Sequence, residues 1–199
     1  NLLALSRLRN DYLGNSNGYF TSNGGIMNKK QLGAFLKVVY KGKDRPALTN
    51  ILIDRIKGRT CLVGTNGVIL AAVFVDGLDE WVGRQIARID LEASYKAMTS
   101  RVSDLFGASE VAEIMDNGRN VTTKFPDYMS IITPYLEGEP VGQARMSFNA
   151  DFFKLVQDIN GEGNITVDLH GEIKPMVFKS ERGIYIVMPM TLKKPGQAS

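Results

Sequence analysis

One cysteine, one histidine and one tryptophan are all that the 199 residues contain of those three types. A single thiol excludes an intrachain disulfide and any metal cage built from several cysteines. Cys61 lies in the apolar run Thr60-Cys61-Leu62-Val63, where a buried structural thiol is expected rather than a nucleophile. His170 ends the alternating stretch 166–170, a pattern of a strand end or surface position rather than of a general base. The sequence has no glycine-rich phosphate loop, no metal-ligand spacing and no nucleophile elbow, and its acidic residues form no recognisable pair. A protein without catalytic site, metal or cofactor is expected. No stretch approaches the roughly 18 apolar residues of a membrane span. Residues 1–9 are too short and too interrupted by charge for a secretory signal. A cytoplasmic protein is therefore expected, with the sequons at Asn120 and Asn164 arising by chance.

Charge of one sign is also scarce. Lys and Arg number 24 against 21 Asp and Glu, a net of +3, so bulk charge cannot hold a polyanion and any nucleic-acid contact needs local clustering. One cluster is visible. Between residues 24 and 45 stand Lys29, Lys30, Lys37, Lys41, Lys43 and Arg45 against Asp44 alone. Hydrophobic residues at 44% and charged residues at 23% describe an ordinary globular chain, long enough for one large domain or two small ones.

Residues 15–25 are polar and glycine-rich and read as a linker. A pattern then begins and recurs. In the first unit Asn28 is a helix N-cap, and Leu32, Phe35, Leu36 and Val39 share one helical face. Strand-like stretches follow at 48–53, 60–64 and 68–75, with Lys57-Gly58 and Asn66-Gly67 as turns. In the second unit 85–89 alternates like a strand, and Asp90 is placed to cap a helix over 91–102. Strands are expected near 110–115 and 120–123. In the third unit 144–148 reads as a strand and Asn149 as a cap. The helix 150–159 would bury Phe152, Phe153 and Val156, with strands at 164–170, 174–178 and 183–188. Recurrence near 60 residues argues for a repeated βαβββ unit in an α+β fold.

Several strings carry a family resemblance. They are Tyr185-Ile186-Val187-Met188-Pro189-Met190-Thr191-Leu192, then Phe125-Pro126-Asp127-Tyr128 with Ile131 and Pro134, then Gly64-Thr65-Asn66-Gly67-Val68-Ile69-Leu70, and Ser147-Phe148-Asn149. Taken in this order, they resemble the bacterial DNA polymerase III beta subunit, the sliding clamp, in a shortened and divergent form. The resemblance implies DNA-clamp-like half-units with helices on one face and antiparallel sheet on the other. It divides the chain into an extension (1–25), a clamp-like domain of two half-units (26–136), a third half-unit (137–192) and a flexible tail (193–199). It further implies a processivity factor in DNA replication whose helices encircle duplex DNA without reading sequence. Lys29, Lys30, Lys37, Lys41, Lys96, Arg101 and Lys154 would be the DNA-facing cations.

The same resemblance implies a pocket for short linear peptides of DNA polymerase and other replication or repair proteins. Its residues would be Leu52, Thr65, Gly67, Val68, Leu70, Pro126, Ile131, Pro175, Val187, Met188, Pro189, Met190 and Leu192. Flexible, polarizable methionines suit varied apolar guests. Asn66, Val68 and Ile69 stand where the family carries Asp, His and Arg, and Thr191 replaces a basic residue, so a less polar pocket is expected. Family rings contain many half-units and only three are legible here, so closure would require a homo-oligomer. The competing reading is a non-encircling clamp-fold adaptor or inhibitor, encoded by a phage or mobile element, that binds replication proteins without encircling DNA.

Overall fold

A computed structural model describes residues 25–99, 105–142, 144 and 146–190. The expected helical residue Arg101 and the last pocket residue, Leu192, lie outside the described residues, as do the tail and nearly all of the N-terminal extension.

Strand β1 (Met27–Asn28) leads into helix α1 (Lys29–Val38). The cap is reciprocal: Asn28 Oδ1 accepts from the Gln31 N–H at 3.0 Å, and Gln31 Oε1 accepts from the Asn28 N–H at 3.0 Å. Two of the helix's orphan donors are thereby satisfied. Leu32, Phe35, Leu36 and Val39 are buried as the periodicity predicts, each worth roughly 1.5–3 kcal/mol of transfer free energy. Lys30 and Lys37 are left exposed, with Lys29 and Gly33 half-buried beside them.

The chain then forms an antiparallel meander of β2 (Asn50–Ile56), β3 (Arg59–Thr65) and β4 (Ile69–Phe74). The β2–β3 turn sets Lys57 and Gly58 at φ 50° and 80°, the paired positive values that two-residue hairpin turns favour. β5 (Gln85–Ala87) pairs with the outer side of β2. The third unit supplies β7 (Thr166–Leu169), β8 (Met176–Lys179) and β9 (Gly183–Val187). β4 pairs with β9, from Ile69↔Val187 to Val73↔Gly183. One seven-stranded sheet results, in the order β5-β2-β3-β4-β9-β8-β7.

Alternation sorts the strands between two cores. Ile51, Ile53, Leu62, Ile69, Val73, Met176, Tyr185 and Val187 join the helix-side core. Cys61, Val63, Leu70, Ala72, Val177, Ile184 and Ile186 face the other way. On the helix side α1 lies between α2 (Arg88–Ala97) and α5 (Ala150–Asn160). Its C-terminal end settles onto Gly64, where an added Cβ would come within 2.7 Å of Val39 Cγ2. Gln31 Nε2 donates to the Ile159 and Asn160 carbonyls. β6 (Leu105–Phe106) pairs with β1 and precedes α3 (Ala108–Asn117). The α+β expectation holds, with antiparallel sheet against a helical layer.

Some local expectations need correction. Residues 110–115 belong to α3 rather than a strand. Val111 and Ile114 are buried at a three-residue spacing, and Gly118 ends the helix by donating to the Ile114 carbonyl at 2.7 Å. The Asn117-Gly118 pair is thus a helix stop, not a hairpin turn. Residues 120–123 form no strand; Thr123 instead accepts from Asn50 Nδ2 and Gln85 Nε2 at 2.8 Å each. Nor do 144 and 146–148 form one. The second helix starts at Arg88 with Asp90 in its first turn, where Asp90 Oδ2 accepts from the Arg119 N–H. Phe153 is exposed, resting edge-on against Phe178 at 5.0 Å.

Helix α4 (Tyr128–Glu137) was not anticipated. It covers the second face of the sheet, burying Tyr128, Ile132 and Leu136. Residues 118–127 therefore pass from the helical layer around the β5 edge to the opposite face.

Candidate functional site

The strings that carry the family resemblance converge at one end of the sheet, beside the β4–β9 junction. Thr65 and Leu70 are partners in the β3–β4 ladder, and Leu70 faces Ile186 in the β4–β9 ladder. Extending each ladder by one residue sets Met188 between Val68 and Pro175. A backbone bond seals the first of these pairings, with the Met188 N–H donating to the Val68 carbonyl at 2.9 Å. Strand alternation puts Met188 on the side of Ile186, and Pro175 on that of Val177. The floor is buried at Thr65, Leu70 and Pro175 and half-buried at Leu52. The rim is apolar and open: Val68 is 44% exposed, Met188 39% and Met190 54%.

The turn that presents Val68 is held by side chains. Asn66 Oδ1 accepts from the Val68 and Ile69 N–H groups at 2.9 and 3.0 Å. Thr65 Oγ1 accepts from the Gly67 N–H at 3.0 Å and donates to the Ile69 carbonyl at 2.8 Å. Gly67 takes φ +91°, a value that favours glycine. Asn66 thus supplies the acceptor an aspartate would, without the charge. Met190 is anchored as well, its N–H donating to the Ser147 carbonyl at 2.7 Å.

Some named residues sit elsewhere. Val187 is wholly buried in the helix-side core, so it meets the recess through its backbone only. Pro126 is half-buried just ahead of α4, and Pro189 half-buried between the two methionines. Ile131 is 58% exposed on the α4 flank that also carries Tyr135. α4 spans the second face from Tyr128, whose hydroxyl donates to Asp54 Oδ2 at 2.7 Å, to Tyr135, whose ring meets His170 edge-on at 5.5 Å. Burial, then the Asp54 bond, pushes the Tyr128 hydroxyl pKa far above its usual value.

The cations of the helical layer are partly committed. Lys30 and Lys154 both reach Asp158, at 2.9 and 3.1 Å, and hold its carboxyl below the usual carboxylate range. Lys29 donates to the Met98 carbonyl at 2.5 Å and lies over the Tyr95 ring. Lys37, Lys41 and Lys96 are exposed. Lys41 also borders a concavity of about 360 Å³ between the end of α1 and the start of α2, shared with Thr49, Asn50, Arg88, Ile89 and Glu92.

Sequence reasoning missed two structural residues and one beside the recess. Arg88 is buried, donating to the Leu36 and Val39 carbonyls and to Glu92. It closes the C-terminus of α1 from a neighbouring helix, and only its i,i+4 relation to Glu92 was legible. Asp54 gave no signal at all. Arg45 stands beside the turn, its Nη1 3.4 Å from where a Cβ on Gly67 would lie, with Leu48 Cδ1 next at 3.9 Å. Cys61 is fully buried, and burial pushes its thiol up to about 12.

No helix among the described residues is long and apolar enough to cross a membrane. No protein-family model matches the chain, and neither does any curated protein. Solved structures do. The DNA polymerase III subunit beta of Borrelia burgdorferi, in complex with a natural product, is similar over 84% of this chain and 64% of its own, with TM-score 0.54 and 9% identity. The Pseudomonas aeruginosa DNA polymerase sliding clamp gives 0.55 and 13% over 84% and 66%. A putative DNA polymerase III beta subunit from Eubacterium rectale gives 0.57 and 9% over 83% and 64%. The chain spans less than two thirds of each of these clamps. Its α+β fold is that of the DNA polymerase III beta sliding clamps.

Proposed function

We propose that the protein is a non-enzymatic, clamp-like processivity factor that captures linear peptides of replication or repair proteins in the recess beside β9. In this reading residues 26–136 carry two half-units and 137–192 a third, and several copies assemble so that the helical layers face duplex DNA. The observation that carries the proposal is the meeting of Val68, Met188 and Pro175 over the Thr65–Leu70 floor, within a clamp fold. An open apolar rim on a rigid turn can seat apolar side chains with little ordering cost.

The test is fluorescence anisotropy with a fluorescein-labelled apolar peptide taken from a clamp-binding polymerase segment. Met188→Ala combined with Met190→Ala should weaken binding about tenfold or more, the loss typical of a central interface anchor. An unaltered melting temperature would show that the fold survives. Equal affinity in the variant would remove the recess from consideration.

The non-encircling adaptor is favoured by one specific observation, the sharing of Asp158 by Lys30 and Lys154, which takes charge away from a DNA-facing wall. Retention on circular against linear DNA, with the native mass, separates the two. Retention lost on linearisation supports encirclement, and a monomer indifferent to topology supports the adaptor.

A further inference from the structure

We infer that residues 2–13 of the same chain occupy the recess beside β9, so that an incoming peptide has to displace them. The inference rests on the peptide-capturing reading and adds regulation to that site. Val68, Met188 and Met190 leave an apolar rim open to solvent, and a contiguous exposed patch of this kind marks an interaction surface. The turn from Asn66 to Ile69 that supports the rim carries no charge. Residues 2–13, which lie outside the described residues, have the matching chemistry. Leu2, Leu3, Leu5, Leu8, Tyr12 and Leu13 supply apolar side chains, and none of the side chains from Leu2 to Ser6 is charged. A neutral apolar segment suits a neutral apolar rim.

The place where this segment joins the fold keeps it within reach. Gly25 is buried against the end of β4, where an added Cβ would lie 1.8 Å from the Phe74 carbonyl oxygen. Beside it the Ile26 carbonyl accepts from Arg182 Nη1 at 2.8 Å, and the Phe74 N–H donates to the Arg182 carbonyl at 2.8 Å. The junction is thus pinned at the end of the β4–β9 pair opposite the recess. From Phe74 back to Val68 a strand rises about 20 Å. Residues 14–24 bridge that distance, and they are uncharged, free of proline and rich in Gly, Ser and Asn. A linker of that length and composition spans about 18 Å on average and about 36 Å fully extended. Met27 enters the helix-side core, so the linker has to round the end of the sheet, and the surplus length allows it. A tether matched to its span gives an effective concentration on the order of 1 mM. Even a segment that dissociates at about 0.1 mM as a free peptide would then fill the recess about ten times out of eleven.

The experiment uses the full chain with isotope-labelled methionine methyl groups and a nitroxide attached through Ser6→Cys; Cys61 is buried and does not compete for the label. The nitroxide should broaden the methyl signals of Met188 and Met190 and spare Met115, which packs against the helix-side core. Leu3→Ser combined with Leu5→Ser should restore those signals. Without the nitroxide, the same pair of changes should tighten binding of the fluorescein-labelled peptide of the preceding section about tenfold, because the tethered competitor is gone. Full-intensity Met188 and Met190 signals in the nitroxide protein would overturn the inference, as would equal peptide affinity with and without the two serines. Neither result touches the recess reading, provided that the methionine variant still weakens binding. Broadening passed from a nitroxide-bearing copy to a separate isotope-labelled copy would assign the occupant to a second molecule and overturn the intramolecular placement. Failure of the Leu3→Ser, Leu5→Ser protein to bind the peptide at all would overturn the recess itself, and the inference with it.

Discussion

Cys61 pairs across the β2–β3 ladder with Asp54, and that single register position explains two behaviours. The thiol is enclosed, and Asp54 turns its carboxylate to Tyr128. A thiolate would have to form without solvent and near that carboxylate, which is why the thiol rises to about 12. Iodoacetamide at pH 8 is expected to leave Cys61 unmodified in the folded protein and to label it fully in urea; rapid native labelling would contradict the burial. Tyr128→Phe removes the donor to Asp54 Oδ2 and leaves that oxygen of a half-buried carboxylate without its protein partner. A loss of about 1–2 kcal/mol in urea unfolding is expected, and it should loosen α4 rather than the strands. The buried status of Cys61 was legible from its apolar neighbours. The Asp54–Tyr128 bond was not, because its partners are 74 residues apart and each alone looks like a surface residue.

Among the elements, α1 was read most accurately and α3 least. The Asn28–Gln31 capping box and the spacing of Leu32, Phe35 and Leu36 are local signals, complete within ten residues. In α3 the signals conflicted, since Val111, Ile114 and Met115 suit a short apolar strand as well as a helix when an Asn-Gly pair follows. What decided for the helix was the Gly107 N–H donating to Glu110 Oε2 and the burial of Val111 and Ile114 against the helix-side core. The start of α2 was missed because its first residue, Arg88, looks too polar for the buried place it takes. Arg88→Ala should cost about 2–3 kcal/mol, as the end of α1 loses two hydrogen bonds from a charged donor. Equilibrium unfolding measures this, and a change below about 0.5 kcal/mol, the range of ordinary surface substitutions, would mean the α1 terminus is closed by solvent instead.

At the scale of the whole molecule the strands of the first and third units make one sheet, and this union creates the recess. The β4–β9 pairing brings Val68 to Met188 across a sequence separation of 120. Charge is also distributed at this scale. Asp158 on α5 restrains Lys30 on α1 and Lys154 on its own helix, so Asp158→Asn should strengthen DNA binding if the helical wall faces DNA. The slope of log affinity against log salt should steepen by about one as freed cations displace counterions. An unchanged slope would place those lysines away from the phosphates. The sequence by itself determined the α+β class, the strands expected at 60–64 and 183–188 and found within a residue of those bounds, the caps of α1 and α5, and the turn at Asn66-Gly67. Each rests on side-chain periodicity or backbone chemistry within a few residues. Only the tertiary structure decided that Val187 turns into the helix-side core, that α4 shields the second face of the sheet, and that Arg45 reaches Gly67. Those outcomes depend on which distant surfaces exclude water together, and no local pattern encodes that choice.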